Sequence, residues 1–229
     1  MQIGIVSGSD DPHLKSQTNH QFYARLHGYA YEFDTSRYWW LQTPHFRKLR
    51  TVQKALSEHD WTFWIDDDAF FTQMELPLER LLQDVPDDVF LIICSSPVSP
   101  DGKHTFVSSG QFLIKNCPTS AEFIRRVLAT SVRSARKWWD PAIYGSFTNG
   151  DQDAIVYRLV TDGLLARVKI YPYQAFNCRT YHYDKSLNEH FLVHFAGVPD
   201  KAVAVREFAT RFGVDETLLP SPQHYRERA

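Results

Sequence analysis

No stretch of this chain reaches the roughly 20 consecutive apolar residues that cross a bilayer as a helix, so no membrane span is expected. Cysteine is scarce. The three present, Cys94, Cys117 and Cys178, are too few and scattered for a disulfide framework, and none stands in a CxxC or CxxH pair that would hold zinc. Neither sign of charge dominates: 25 basic against 27 acidic side chains leave a net charge of -2. That gives no basic field for nucleic acid and no polybasic patch for a lipid surface. There is no internal repeat and no low-complexity segment. The opening Met1-Gln2-Ile3-Gly4-Ile5-Val6-Ser7-Gly8 lacks a charged segment followed by an apolar one. No secretory leader is therefore expected, and a cytoplasmic, reducing compartment is.

Aromatic side chains, by contrast, are plentiful, with six Trp, eleven Tyr and sixteen Phe. Such rings pack cores, and they also line clefts that hold sugars. The 229 residues, 43% of them hydrophobic, suffice for one sizeable core. Apolar runs bounded by turn residues alternate with helix-like stretches, the pattern of an α/β sheet. Strands are expected at Ile3–Val6, Tyr29–Phe33, Thr62–Ile65, Val89–Cys94, Phe112–Ile114, Val168–Tyr171 and Phe191–His194. Helices are expected near His13–His27, His45–Ser57, Ser120–Ser131, Gln152–Thr161 and Ala202–Phe212. Pro, Gly, Ser and Asn mark Ser95–His104 and Asp140–Gly150 as loops over a cleft. No linker divides the chain, so one domain is read over 1–218, with a loosely held tail over 219–229.

The chemistry is concentrated in Trp61-Thr62-Phe63-Trp64-Ile65-Asp66-Asp67-Asp68-Ala69-Phe70-Phe71, where an apolar strand runs into three carboxylates and apolar residues resume at once. Burying three unpaired charges would cost several kcal/mol each. They are therefore expected at the carboxyl end of a strand, facing the crevice where open α/β sheets bind ligands, with a cation among them. Asp66 and Asp68 are two apart and can approach one ion where the strand breaks into a turn. Carboxylate oxygens suit Mg²⁺ or Mn²⁺, ions that usually also hold a substrate phosphate. The bland alternative is an acidic turn with capping aspartates. Asp151 and Asp153 carry a similar alternative, as acidic residues in the first turn of a helix.

The stretch Trp64 to Met74, followed by Glu75-Leu76-Pro77-Leu78-Glu79-Arg80, resembles the family 34 glycosyltransferases, which include plant xylosyltransferases and fungal galactosyl- and mannosyltransferases. Ile5 to Ser9, His27-Gly28-Tyr29, Trp40 to Leu49, Ser109 to Cys117, Asp151-Gln152-Asp153-Ala154 and His194-Phe195-Ala196-Gly197 are similar to further segments of that family, in its order and over about residues 3–198. The resemblance implies a GT-A nucleotide-diphospho-sugar transferase fold, a single domain around a mixed, mostly parallel sheet. It implies transfer with retention from a nucleotide-diphosphate sugar to a hydroxyl acceptor: a UDP-hexose or UDP-pentose, for example UDP-galactose, in the presence of Mn²⁺ or Mg²⁺. By the same resemblance Asp66, Asp68 and His194 are the metal ligands. Gly8, Ser9, Asp66, Asp67, Gly110 and Lys201 are donor contacts, and Asp151, Gln152 and Asp153 are catalytic, with Gln152 against the sugar and Asp151 holding a hydroxyl or the Gln152 backbone.

The chain departs from the family pattern at Gln42 and Ser108, where the family has lysine and asparagine, and Lys201 stands in for a displaced lysine. These positions bear on donor identity and phosphate contacts. The acceptor is left open among glycan, lipid, peptide and small molecule, with nucleic acid disfavoured by the charge. The membrane anchor and stem of eukaryotic members are not seen, and a soluble enzyme is expected. Two other readings stand beside this one. A metal-dependent phosphohydrolase of the haloacid-dehalogenase kind needs Thr or Val where Phe70 stands. A non-catalytic nucleotide-sugar binder would not need Asp66, Asp68, Gln152 and His194 together.

Overall fold

The computed structural model describes residues 1–38 and 41–220. Trp40, and residues 221–229 of the tail expected beyond Leu219, lie outside the described residues.

The described residues form eight strands: β1 (Ile3–Gly8), β2 (Ala30–Asp34), β3 (Trp61–Ile65), β4 (Ala69–Phe71), β5 (Leu91–Cys94), β6 (Ser108–Lys115), β7 (Val168–Tyr171) and β8 (Leu192–His194). Helices are α1 (Ser16–His27), α2 (Arg47–Ala55), α3 (Pro118–Leu128), α4 (Val132–Trp138), α5 (Pro141–Tyr144), α6 (Asp151–Thr161) and α7 (Lys201–Arg211). Six strands form one mixed sheet in the order β2-β1-β3-β6-β5-β7, in which β6 alone runs antiparallel to its neighbours. The fold is thus the expected single α/β domain with a mixed, mostly parallel sheet.

Both faces of the sheet are covered, which is why its strands read as near-continuous apolar runs. Every residue of β3 is buried. Val6, Trp64, Phe112 and Ile114 pack on one side against Leu49 and Val52 of α2, Phe123 and Val127 of α3, and Ile155 and Leu159 of α6. Ile5, Phe63, Ile65 and Leu113 pack on the other against Tyr23 and Ala24 of α1 with Leu78, Phe176 and Phe191. The chain leaves β1 through α1 to β2 on one side and returns through α2 to β3 on the other. The carboxyl ends of β1 and β3 therefore flank the point where strand order reverses, which opens a crevice there.

Three features differ from the sequence reading, the first being that Val132–Trp138 forms the unexpected helix α4, capped by Ser131. Ala69–Phe71 forms a strand of its own, paired antiparallel with β8 in the register Ala69↔His194 and Phe70↔Val193. It is too short to show a period. The expected loop Asp140–Gly150 contains the helical turn α5, begun by Pro141 and capped by the Asp140 carboxylate, which accepts from Ala142 N at 2.9 Å.

Candidate active site

The acidic triplet occupies the turn between β3 and β4, and three contacts fix it. Asp66 N donates to Gly110 O (2.8 Å), Ala69 N to Asp66 O (3.1 Å) and Phe195 N to Asp68 O (2.9 Å). Because β4 pairs with β8, His194 arrives directly opposite Ala69, and its imidazole meets the carboxylates. His194 Nε2 lies 3.1 Å from Asp68 Oδ1 and 3.9 Å from Asp66 Oδ2. One ligand atom from each of Asp66, Asp68 and His194 lies within 4.8 Å of the others. All three line a cavity of about 950 Å³, together with Lys48, Gly110, Asp151, Gln152, Arg179 and Lys201.

This donor set fits a divalent cation. Two carboxylates and one imidazole are an oxygen-rich set with a borderline nitrogen, suited to Mn²⁺ or Mg²⁺. Burial pushes the His194 imidazole toward its neutral form, with Asp68 opposing. A neutral imidazole presents the Nε2 lone pair a metal takes. Burial likewise opposes ionisation of Asp68, but His194 and Lys201 hold its carboxyl well below the usual range.

Lysines close the site. Lys48 Nζ, at the buried start of α2, is 2.9 Å from Asp66 Oδ1 and 3.6 Å from Asp151 Oδ2, and it donates to Ser109 O at 3.0 Å. Burial acts against its charge, yet Asp151 and Asp66 raise its pKa above the ordinary lysine value. Lys201 Nζ is 2.6 Å from Asp68 Oδ2, at the first turn of α7, whose amino end Asp200 caps through Val203 N. The Trp64 indole donates to Asp66 Oδ1 at 2.7 Å, so the strand before the triplet also orients it.

The other expected site residues divide. Asp151 is buried, and burial raises its pKa with Lys48 opposing. Gln152 Oε1 accepts from Ser109 N at 3.1 Å, which ties the start of α6 to β6 beside the cavity. Asp153, expected among the catalytic residues, is engaged at the start of α6. One oxygen accepts from Thr148 N and Thr148 Oγ1 (both 3.0 Å) and the other from Gly150 N (3.1 Å). The carboxylate is consumed in closing the amino end of α6, and it does not line the cavity.

Gly110 lines the cavity, and a Cβ there would stand 2.2 Å from His194 Cε1. Its missing side chain thus admits the imidazole. Gly8 and Ser9 do not line the cavity. A Cβ on Gly8 would sit 2.5 Å from Asp34 O, and Ser9 N donates to that same oxygen at 3.1 Å. Ser9 also hydrogen-bonds the Asp67 side chain, whose pKa burial raises. Asp67 lies outside the cavity lining as well. These three form a shelf where the carboxyl ends of β1 and β2 meet the triplet.

Two participants, Asn177 and Arg179, escape the sequence reading, and the roles of Arg47 and Lys48 are left undivided by it. Arg47 and Lys48 are adjacent basic residues on an amphipathic helix, and only the packing separates Lys48, turned inward, from Arg47, which binds Asp34 O and Ser36 O at 2.9 Å each. Asn177 and Arg179 lie in a segment without periodic pattern. They reach the site because Cys178 bridges to Val193 and its carbonyl accepts from His194 N at 2.8 Å. No spacing signal announces such a contact.

Comparison with known proteins bears on this arrangement. Residues 6–91 match the galactosyl transferase GMA12/MNN10 family, glycosyltransferase family 34. Glycosyltransferase 6 of Arabidopsis thaliana is 30% identical over 172 residues, 69% of this chain and 39% of that protein. Galactomannan galactosyltransferase 1 of Cyamopsis tetragonoloba is 26% identical over 152 residues, 61% of this chain and 34% of that protein. The chain therefore spans under two fifths of the length of these relatives. A crystal structure of a glycosyltransferase involved in the glycosylation of the major capsid of PBCV-1 superposes with a TM-score of 0.70 at 18% identity, over 92% of this chain and 100% of that one, a likeness of fold. The motif order, the sheet and these alignments agree, and the chain belongs to the galactosyl transferase GMA12/MNN10 family of glycosyltransferases.

Proposed function

We propose that this chain transfers a glycosyl group with retention from a UDP-sugar, a UDP-hexose or UDP-pentose, to a hydroxyl acceptor, in the presence of Mn²⁺. One observation carries the proposal: the convergence of Asp66, Asp68 and His194 within 4.8 Å on the wall of a large cavity, flanked by Lys48 and Lys201. Asp66, Asp68 and His194 would hold the cation, which when bound supplies Lewis-acid stabilisation of charge on a departing diphosphate. In transfer with retention by front-face attack, the acceptor oxygen bonds to the anomeric carbon as the bond from that carbon to the phosphate oxygen breaks. The acceptor proton passes to that oxygen, and UDP leaves. The work left to the protein is positioning and exclusion of water.

Several residues support that division of labour. Asp151 is held beneath Lys48, which favours a positioning role over that of a free carboxylate nucleophile. Gln152, tied to Ser109, presents a fixed amide at the cavity wall. Lys201 and Lys48 orient the two metal-binding carboxylates from outside. Phe70, at the position where the phosphohydrolase reading requires Thr or Val, is a fully buried core residue, which disfavours that reading. The cavity lining also includes Ser96, Pro97, Lys103, His104 and Tyr181, a mixed polar and aromatic set suited to a carbohydrate acceptor.

A panel of nucleotide sugars incubated with Mn²⁺ and read by released nucleotide tests the proposal. Slow acceptor-independent release of UDP from at least one UDP-sugar is expected, lost in Asp68→Ala. Turnover only of GDP-mannose would overturn the base preference. Turnover of phosphomonoesters instead would overturn the transferase reading.

A further inference from the structure

His194 is the one proposed metal ligand that can present its ring nitrogens in two ways, and only a neutral ring with its proton on Nδ1 leaves Nε2 free for a cation. The surroundings of Nδ1 decide this. Two atoms lie 3.1 Å from it, Asn177 Oδ1 and an Arg179 NH1 nitrogen. Arg179 NH1 has two hydrogens, and two oxygens stand ready for them: Asn177 Oδ1 at 2.6 Å and Asn177 O at 3.2 Å. His194 Nδ1, at 3.1 Å, is a third candidate, but when a cation takes the Nε2 lone pair the ring proton stands on Nδ1 and both Arg179 hydrogens go to Asn177. The orientation of the Asn177 amide is fixed by the same contacts. Arg179 can only donate, so oxygen must face it, and the Asn177 Nδ2 group points the other way to Ser95 O at 3.2 Å. An acceptor, Asn177 Oδ1, therefore faces Nδ1 beside the Arg179 donor, and carboxylate oxygens face Nε2.

We infer that Asn177 is a positioning residue for the cation site: its Oδ1 keeps the His194 proton on Nδ1 and so turns the Nε2 lone pair toward Asp66 and Asp68. Arg179 acts one step further out, by fixing which end of the Asn177 amide meets the ring. The arrangement is built into the backbone as well, since the carbonyl of Cys178, between Asn177 and Arg179, holds His194 N at 2.8 Å. Hydrogen bonds to the remote nitrogen of a ligating histidine typically alter metal affinity by about 10–100-fold when removed.

This inference rests on the metal reading of the site, and the two can fail separately. Mn²⁺ binding is measured directly, from the electron paramagnetic resonance signal of the free ion titrated with protein. The proteins are wild type, Asn177→Ala, Asn177→Asp, His194→Ala and the two double variants. Asn177→Ala is expected to weaken Mn²⁺ by about 10–100-fold. Asn177→Asp keeps an acceptor toward Nδ1 but loses the donor toward Ser95, so near wild-type affinity is expected. Within His194→Ala, the further change Asn177→Ala should have almost no effect, because its route to the metal is gone. Melting without metal reports any purely structural damage.

Wild-type affinity in Asn177→Ala would overturn the inference. So would an Asp variant as weak as the Ala variant, which would assign the role to the Ser95 contact, or a loss that persists undiminished in His194→Ala. Should the Ala variant not fold, the comparison of Asn177→Asp alone with the same change in His194→Ala decides: an effect on Mn²⁺ independent of His194 refutes the role. Failure of the wild type to bind Mn²⁺ would remove the metal reading and this inference with it.

Discussion

Replacing Lys48 by methionine removes a buried ammonium that faces two carboxylates, 2.9 Å from Asp66 and 3.6 Å from Asp151. Asp66 keeps the Trp64 indole as a donor and is partly exposed, whereas Asp151 is buried and loses its cation. Removing one partner of a buried ion pair costs about 3–5 kcal/mol. For a chain of this size each kcal/mol moves the melting temperature by roughly 2–4 °C, so a fall of roughly 6–20 °C is expected. The sign of the pH dependence follows from Asp151. Burial raises its pKa above the unfolded value, so it opposes folding increasingly as pH climbs past that value. Without Lys48 the pKa rises further, and the deficit of Lys48→Met should be small at about pH 5 and large at about pH 8. Adding Asp151→Asn should restore most of the loss, since the stranded charge is then gone. Differential scanning fluorimetry of the four proteins at both pH values measures this. A deficit independent of pH and unrelieved by Asp151→Asn would refute the assignment of Lys48 as the counter-ion of a buried carboxylate.

The same physics yields two further expectations. Asp153→Ala should cost about 2 kcal/mol through the exposed amino end of α6 while leaving cation binding in place; lost Mn²⁺ binding at an unchanged melting temperature would contradict the capping role. His20 is fully buried against Ala69 O, and burial lowers its pKa from 6.5 to about 4. Its folded pKa lies below the unfolded one, so this contribution is complete above about pH 6.5 and declines as pH falls to about 4, by roughly 3 kcal/mol in all. His20→Gln should flatten the dependence of melting temperature on pH across that window, and an unchanged slope would exclude His20 as its source.

The sequence makes the strand-to-carboxylate junction legible because burial and charge conflict within eleven residues. Trp61 to Ile65 demand a core, Asp66 to Asp68 refuse one, and a crevice with a cation resolves the conflict. The period of α1, α2, α3, α6 and α7 and the apolar runs of the main sheet are visible for the same reason: each is a local pattern. Asp153 was ambiguous between chemistry and capping, because both place acids in the first turn of a helix. Only the three donors converging on it separate them. Gly110 is legible as a donor contact only through the family resemblance, and that the imidazole of His194 approaches it depends on the β4–β8 pairing.

The amino-acid order alone determined an α/β domain and an acidic turn able to hold a divalent cation, since hydrophobic period and charge density act over neighbouring residues. Tertiary structure decided which distant groups complete that turn: His194 through a three-residue antiparallel ribbon, Lys48 through the facing of one helix, and Asn177 through a single backbone bridge at Cys178. Such contacts join residues from separate elements by sheet register and helix rotation, and neither quantity is written in any local stretch of the chain.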